Sequence, residues 1–316
     1  VTVGKGEARA GNGFGGIFSW FGGKVEGLWK FTHDDSSTEQ VAVEIAPAPL
    51  SSLGAERETV PDVVGHRCEL GPLQLSAASL IGRRHRRNGE VREDTYAFSA
   101  GERSCAVAVA DGVGSAVNAH IAAEVAAWCA VDDIVHWADT GTSEWNDHCV
   151  ELVHSTSEAV RQVEDTRTDA TTSVVKNNPP ATTLAAAALR VADEVTVLSW
   201  LTYGDSAVLL LSLADGQWTW LSGRPQELRT SVTPALPGSP DASSCGEVAL
   251  QPDDVLVLVT DGVSEAVEAM PDEFAAAIVV AVREEDMSAA KFATLLDFDI
   301  RGMGDDRTIL VVRRTR

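Results

Sequence analysis

Two stretches of the chain repeat one pattern. Residues 106–117 read AVAVADGVGSAV and residues 255–267 read VLVLVTDGVSEAV. Each is a short uncharged apolar run, then Asp-Gly-Val, then residues that suit a helix. Such a run, bounded by turn residues, reads as a buried strand. A buried strand that ends on a bare carboxylate needs a reason. A turn or a helix cap explains one Asp-Gly, and Asp215-Gly216, between AVLLLSL and QWTWLS, reads as a hairpin turn of that kind. Two copies with matched flanks suggest that two adjacent strands of one sheet aim Asp111 and Asp261 at a common point. Carboxylates that close repel one another and take up protons unless cations lie between them. Oxygen donors with no neighbouring His or Cys select hard ions such as Mg²⁺ or Mn²⁺.

Three further acidic motifs stand at strand ends. Glu93-Asp94 precedes TYAFSA, Asp305-Asp306 precedes RTILVV, and Asp205 lies in YGDSAVL between two strands. Singly, each reads as a surface acid. Together they repeat one theme, an acid at a strand end beside glycine or a second acid.

The order of elements constrains the fold. Strands are expected at LQLSAASLIG, TYAFSA and SCAVAVAD. A long helix follows from Ser115 to about Trp137, with Ile121, Val125, Trp128, Cys129 and Ile134 on its apolar stripe. A second helix runs from Ser143 to about Val163, and a polar loop follows it. Strands return at ATTLAAAALRV, EVTVLSWLTYGDS, AVLLLSL and QWTWLS. A proline-bearing loop spans about Gly223 to Glu247. The last elements are the DVLVLVT strand, the helices DEFAAAIVVAVREE and SAAKFATLLDFDI, and the strand DRTILVVRR. This order implies sheet packed on sheet with helix pairs outside, not a regular strand–helix alternation.

Residues 1–70 read differently. The first 32 are rich in glycine and aromatics, with Phe14, Phe18, Trp20, Phe21 and Trp29, and the segment from 33 to 70 is polar and acidic. The expected division is an N-terminal extension and linker over 1–70 and a folded domain over 71–316.

Charge narrows the partners. The 316 residues carry a formal net charge of −22, which disfavours nucleic acid and anionic membranes unless basic residues cluster. They do so once, in GRRHRRNGEVRED, which holds Arg83, Arg84, Arg86, Arg87 and Arg92. Five cysteines without a CxxC pair read as reduced core thiols of a cytoplasmic protein. No apolar run approaches the roughly 18 residues of a membrane span, and the start lacks a signal-peptide pattern.

The ordered set ED, DGVGS, ATT, GDS, TDG and GDDRT resembles the metal-dependent protein phosphatase 2C family over residues 73–316. SLIGRRHRRNGEVREDTY is similar to the bacterial branch, in which Gly-x-x-His precedes the acidic pair. The resemblance implies an α+β fold, an α-β-β-α four-layer sandwich of two central antiparallel sheets flanked by helix pairs. It implies a serine/threonine phosphoprotein phosphatase with two or three Mg²⁺ or Mn²⁺ ions, whose activated water attacks the phosphomonoester. Asp111 would bridge two ions and the Gly112 carbonyl would ligate one. Asp261 and Asp305 would complete the ligands of the first ion, Asp94 and Glu93 would hold the second, and Asp205 a weaker third. Asp306 would support these ligands from behind. The substrate would be a phosphoserine or phosphothreonine protein, a kinase or a kinase target. Three positions depart from the family pattern. Gly89 stands where a phosphate-holding Arg is frequent, which leaves His85, Arg86, Arg87 and Arg92 as candidates, His85 first. Val113 replaces a proton-donating His, and Ala207 follows GDS. The alternative is a catalytically weak or inactive phosphatase-fold signalling or scaffold protein. A two-metal nuclease fits the charge poorly, and no Gly-x-x-x-x-Gly-Lys-Ser/Thr loop supports a nucleotide enzyme.

Overall fold

The computed structural model describes residues 39–41, 60–102, 104–141, 143–163, 178–192, 195–222, 233–283 and 287–315. The aromatic N-terminal segment and most of the polar loop after the second long helix lie outside them. The chain divides into residues 1–35 and 36–316, and all described residues belong to the second unit.

The alanine-rich strands show how the layers are built. Strand β5 (Ser104–Asp111) and strand β6 (Leu184–Ala192) pair antiparallel in the middle of a five-stranded sheet. Side chains on successive strand residues point to opposite faces. Ala106, Ala108, Ala110, Ala186 and Ala188 therefore face one core, and Val107, Val109, Ala185 and Ala187 face another. The first core lies under helix α2 (Ala119–Thr140) and helix α3 (Trp145–Arg161). Helix α2 meets the sheet with Ala122, Ala123, Ala126, Ala127 and Ala130, so small residues on both sides let the helix approach closely. The apolar stripe expected from the large residues is rotated. Ile121, Val125, Trp128 and Cys129 are only half-buried on its flank.

The five-stranded sheet runs β10 (Ser243–Leu250), β7 (Val195–Tyr203), β6, β5 and β4 (Asp94–Ala100). The seven-stranded sheet runs β1 (Glu39–Val41), β2 (Val63–Leu70), β3 (Leu73–Leu80), β12 (Arg307–Arg314), β11 (Asp254–Val259), β8 (Ala207–Ser212) and β9 (Trp218–Trp220). Between the two sheets lies a core that includes Leu75, Val107, Leu189, Leu198, Leu256 and Leu310. A third core joins the seven-stranded sheet to helices α4 (Asp261–Ala269), α5 (Pro271–Arg283) and α6 (Ala289–Leu296). The fold is therefore the α+β, four-layer sandwich expected, with three helices on one outer face where a pair was anticipated. The short helix α1 (Arg83–Asn88) links β3 to β4.

Several boundaries move. The division at residue 70 falls inside a hairpin: β2 pairs with β3 along its length, so Val63–Leu70 belongs to the sheet and not to a linker. Helix α2 begins at Ala119, not at Ser115. The amides of Val113 and Val117 are taken by the carbonyls of Ala181 (2.9 Å) and Asn178 (2.9 Å), and Asn118 is left-handed at φ 50°. Helix α3 begins at Trp145 rather than Ser143. The expected loop to Glu247 gives way at Ser243 to β10, an edge strand paired with β7. The Asp215-Gly216 turn is as read, with Gly216 at φ 73° and the Asp215 carboxylate accepting from the Gln217 amide.

Candidate metal centre

Strands from both sheets end at one place. Asp94 opens β4 and Asp111 closes β5, and the two are register partners. Asp261 opens α4 directly after β11, and Asp205 sits in the turn between β7 and β8. The two Asp-Gly-Val copies thus come from opposite sheets, not from adjacent strands of one sheet. One carboxylate oxygen each from Asp111, Asp205 and Asp261 lies within 4.8 Å of the others, the one such group of possible ligands among the described residues. Asp205, expected at a weaker third position, is a member of this tight trio.

Backbone contacts hold the carboxylates in place. The Asp111 carbonyl accepts from the Thr183 amide (2.8 Å) and the Thr182 hydroxyl (2.8 Å). A Cβ on Gly112 would lie 2.6 Å from the Ala119 carbonyl oxygen, so only glycine lets the chain leave β5 here. A Cβ on Gly262 would meet the Asp306 carbonyl oxygen at 2.1 Å. The Thr260 hydroxyl donates to Asp94 Oδ2 (2.6 Å), and the Thr233 hydroxyl donates to Asp205 Oδ2 (3.1 Å).

Electrostatics mark the cluster as cation-seeking. Burial, then the Asp306 charge, pushes Asp94 far above the usual carboxylate range. Burial, then the charges of Asp94 and Asp261, does the same to Asp111. Asp261 is pushed up to about 7 by burial and by Asp205 and Asp305. Burial also raises Asp205. Asp261 Oδ1 is buried without a hydrogen-bond partner. An all-oxygen donor set with an orphaned buried acceptor and mutual repulsion suits hard divalent ions.

The other candidates sit around this point in different roles. Asp305 is at the rim, a third exposed, and Arg84 Nη2 donates to both its oxygens at 2.9 and 2.8 Å. His85 does not face the cleft. It is 4% exposed, with Nδ1 2.9 Å from Asp306 Oδ2 and Nε2 3.7 Å from Glu93 Oε2. Burial opposes its positive charge, yet Asp306, Glu93 and Asp305 hold its pKa above the ordinary value. Burial would raise Asp306, but His85 and the amides of Gly82 and Glu93, both at 2.6 Å, hold it low. Asp306 is therefore buried and held on several sides, and His85 turns toward it rather than toward the cleft. Glu93 is buried beside them. Arg92 is buried too, donating to Ser79 Oγ (2.7 Å) and the Asp94 carbonyl. Arg86 faces Asp62 at 3.6 Å. Arg87 is exposed and lines a cleft of about 830 Å³ together with Arg83, Arg84, Asp261 and Asp305. Sequence reasoning missed Thr260 and Arg84. The only signals were a threonine before the second Asp-Gly and a place in the arginine cluster.

A sandwich of this order with an oxygen-only cluster at its strand ends has the layout of a divalent-cation site. Residues 81–297 match the family model for protein phosphatase 2C, and the chain belongs to that family. Among solved structures, the Mycobacterium tuberculosis serine/threonine phosphatase PstP/Ppp is 23% identical with a TM-score of 0.50, over 77% of this chain and 99% of that one. The S. agalactiae serine/threonine phosphatase is 20% identical with a TM-score of 0.52, over 77% and 99%. A phosphatase from Toxoplasma gondii is 15% identical with a TM-score of 0.53, over 79% and 95%. These likenesses are likenesses of fold. No curated protein matches the chain significantly. No described helix is long and apolar enough to cross a membrane.

Proposed function

We propose that the protein is a metal-dependent serine/threonine phosphoprotein phosphatase that uses Mg²⁺ or Mn²⁺. The observation that carries this reading is the convergence of Asp111, Asp205 and Asp261 from both sheets on one point. Asp94, Asp111, Asp205 and Asp261 would hold the ions, with Asp305, Glu93 and the Gly112 carbonyl as further donors. When bound, the cations supply Lewis acidity and a reactive water. The chain's own part is orientation. Thr260 aims Asp94, and His85 fixes Asp306, which in turn fixes the chain at Gly82 and Glu93. Arg84, already at the cluster's edge on Asp305, is the guanidinium placed to neutralise a phosphoryl oxygen. Val113 offers no proton to a leaving alkoxide.

The test is hydrolysis of p-nitrophenyl phosphate and of a phosphothreonine peptide with Mn²⁺, with chelator, and in Asp111→Asn. Turnover that needs Mn²⁺ and is lost in the variant is expected. One observation favours the alternative of an inactive phosphatase fold: the Arg84 guanidinium already neutralises Asp305. No Mn²⁺-dependent turnover by the wild-type chain would select that alternative.

A further inference from the structure

We propose that the cleft beside the carboxylate cluster selects phosphoprotein segments carrying a second anionic group, a carboxylate or another phosphate, near the phosphorylated residue. This deepens the phosphatase reading and rests on it. The chain as a whole carries −22, so it repels such a segment everywhere except where basic residues gather. They gather at this cleft. Helix α1 supplies Arg83, Arg84 and Arg87, and the turn before β12 supplies Arg301.

The lining holds four arginines and four acids, so its positive surplus appears once the acids of the cluster are taken up by cations. Asp261 and Asp305 belong to the carboxylate cluster. That leaves Asp299 and Glu265 against four arginines. Arg83 is held by Asp299 and Arg84 by Asp305. Arg87 and Arg301 are both exposed and close no ion pair among the described residues, though the Arg87 charge, after those of Arg83 and Arg307, helps hold Asp299 low. They are the two guanidinium groups available to a ligand. A guanidinium fork fits a carboxylate or a phosphate equally well, so the second group is defined by its charge. The size agrees. The cleft, about 830 Å³, has room for far more than one phosphoryl group and is within the range of sites that take a drug-sized ligand. Arg87 and Arg301 are specificity residues on this reading, and Arg84 remains with the phosphorylated residue.

The experiment uses the full chain with Mn²⁺ and fluorescent peptides bearing a hydrolysis-resistant phosphonate in place of the phosphate ester. Flanks are Gln-rich, Glu-rich, Lys-rich, or carry a second phosphonate, and binding is read by anisotropy. Exposed charge pairs are each worth a small factor, so the Glu-flanked peptide is expected to bind roughly fivefold tighter than the Gln-flanked one. The Lys-flanked peptide should bind more weakly than either. The preference should vanish in Arg87→Glu/Arg301→Glu and shrink at about 0.5 M salt. Comparing the Glu and double-phosphonate peptides separates a carboxylate from a second phosphate. Arg301→Gln alone, which should halve the preference, serves if the double variant misfolds. Equal wild-type binding of Gln and Glu peptides, or a preference untouched by the substitutions, overturns the proposal. Turnover of a Gln-flanked phosphopeptide, run in parallel, keeps the two readings apart. Turnover without acid preference sinks the cleft and keeps the phosphatase. Acid preference without turnover does the opposite.

Discussion

The two Asp-Gly-Val segments share a sequence and not a backbone. Asp111 is the last residue of a strand in the five-stranded sheet, and seven residues intervene before α2 begins. Asp261 is the first residue of a helix that follows its strand at once. Both glycines are sterically required, but by different neighbours: Gly112 lies against the Ala119 carbonyl, Gly262 against that of Asp306. The lesson is that the local motif specifies a place, an acid where a buried strand ends, and leaves the path away from it open. At Asp111 the path is set by the 178–182 segment, which takes the amides that a helix would otherwise use.

The comparison can be broken at several points. The largest effect is expected if both acids serve one cation pair: Asp111→Asn and Asp261→Asn should each lower Mn²⁺-dependent kcat by about a thousandfold, since such ions supply several kcal/mol. A large loss in one variant and a small one in the other would show that the two copies do different jobs. Next come the glycines. Gly262→Ala and Gly112→Ala each press a methyl into backbone, and should cost on the order of 3 kcal/mol in denaturant unfolding, Gly262→Ala the more because its contact is closer.

The pH dependence of the metal-free chain comes third. A carboxylate whose folded pKa is raised adds stability below its unfolded value and loses it as pH rises through the folded one. Asp261, pushed up to about 7, sets that window between about pH 4 and 7, and the raised His85 acts in the same direction. Chelated protein should therefore melt roughly 5 °C lower at pH 8 than at pH 5, and Mn²⁺ should remove most of the difference. A melting point that rises with pH would show that the acids are not buried together. The smallest effect belongs to Thr260→Val, which removes the donor to Asp94 and should weaken Mn²⁺ binding about tenfold in calorimetry, with Thr260→Ser restoring it.

Much of this was legible because burial imposes pattern. The strands β5, β6, β8, β11 and β12 each contain an uncharged apolar run that cannot be placed elsewhere, and the acids beside these runs stand out for that reason. What escaped has weaker chemistry. Strand β2, VVGHRCEL, carries His66, Arg67 and Glu69 and so resembles a linker; yet His66 is buried, with Nδ1 2.5 Å from the Tyr96 hydroxyl. Strand β10, SSCGEVAL, is an edge strand with polar residues through its first half and no fully buried residue. Helix α2 hides its buried face in alanines, which carry little periodic signal. His85 and Arg84 are adjacent in sequence, and only α1 reveals that the histidine turns inward to Asp306 and the arginine outward to Asp305. Residue type names the candidates for a charge; the helix decides which of them meets solvent.

The middle core has a consequence for the metal centre. Its side chains set the gap between two sheets, and the two Asp-Gly-Val acids hang from opposite sides of that gap. The slab works as a caliper. A bulkier residue at Ala185 or Ala187, well removed in sequence from the acids of the cluster, would open the jaws and be read out as altered grip on an ion.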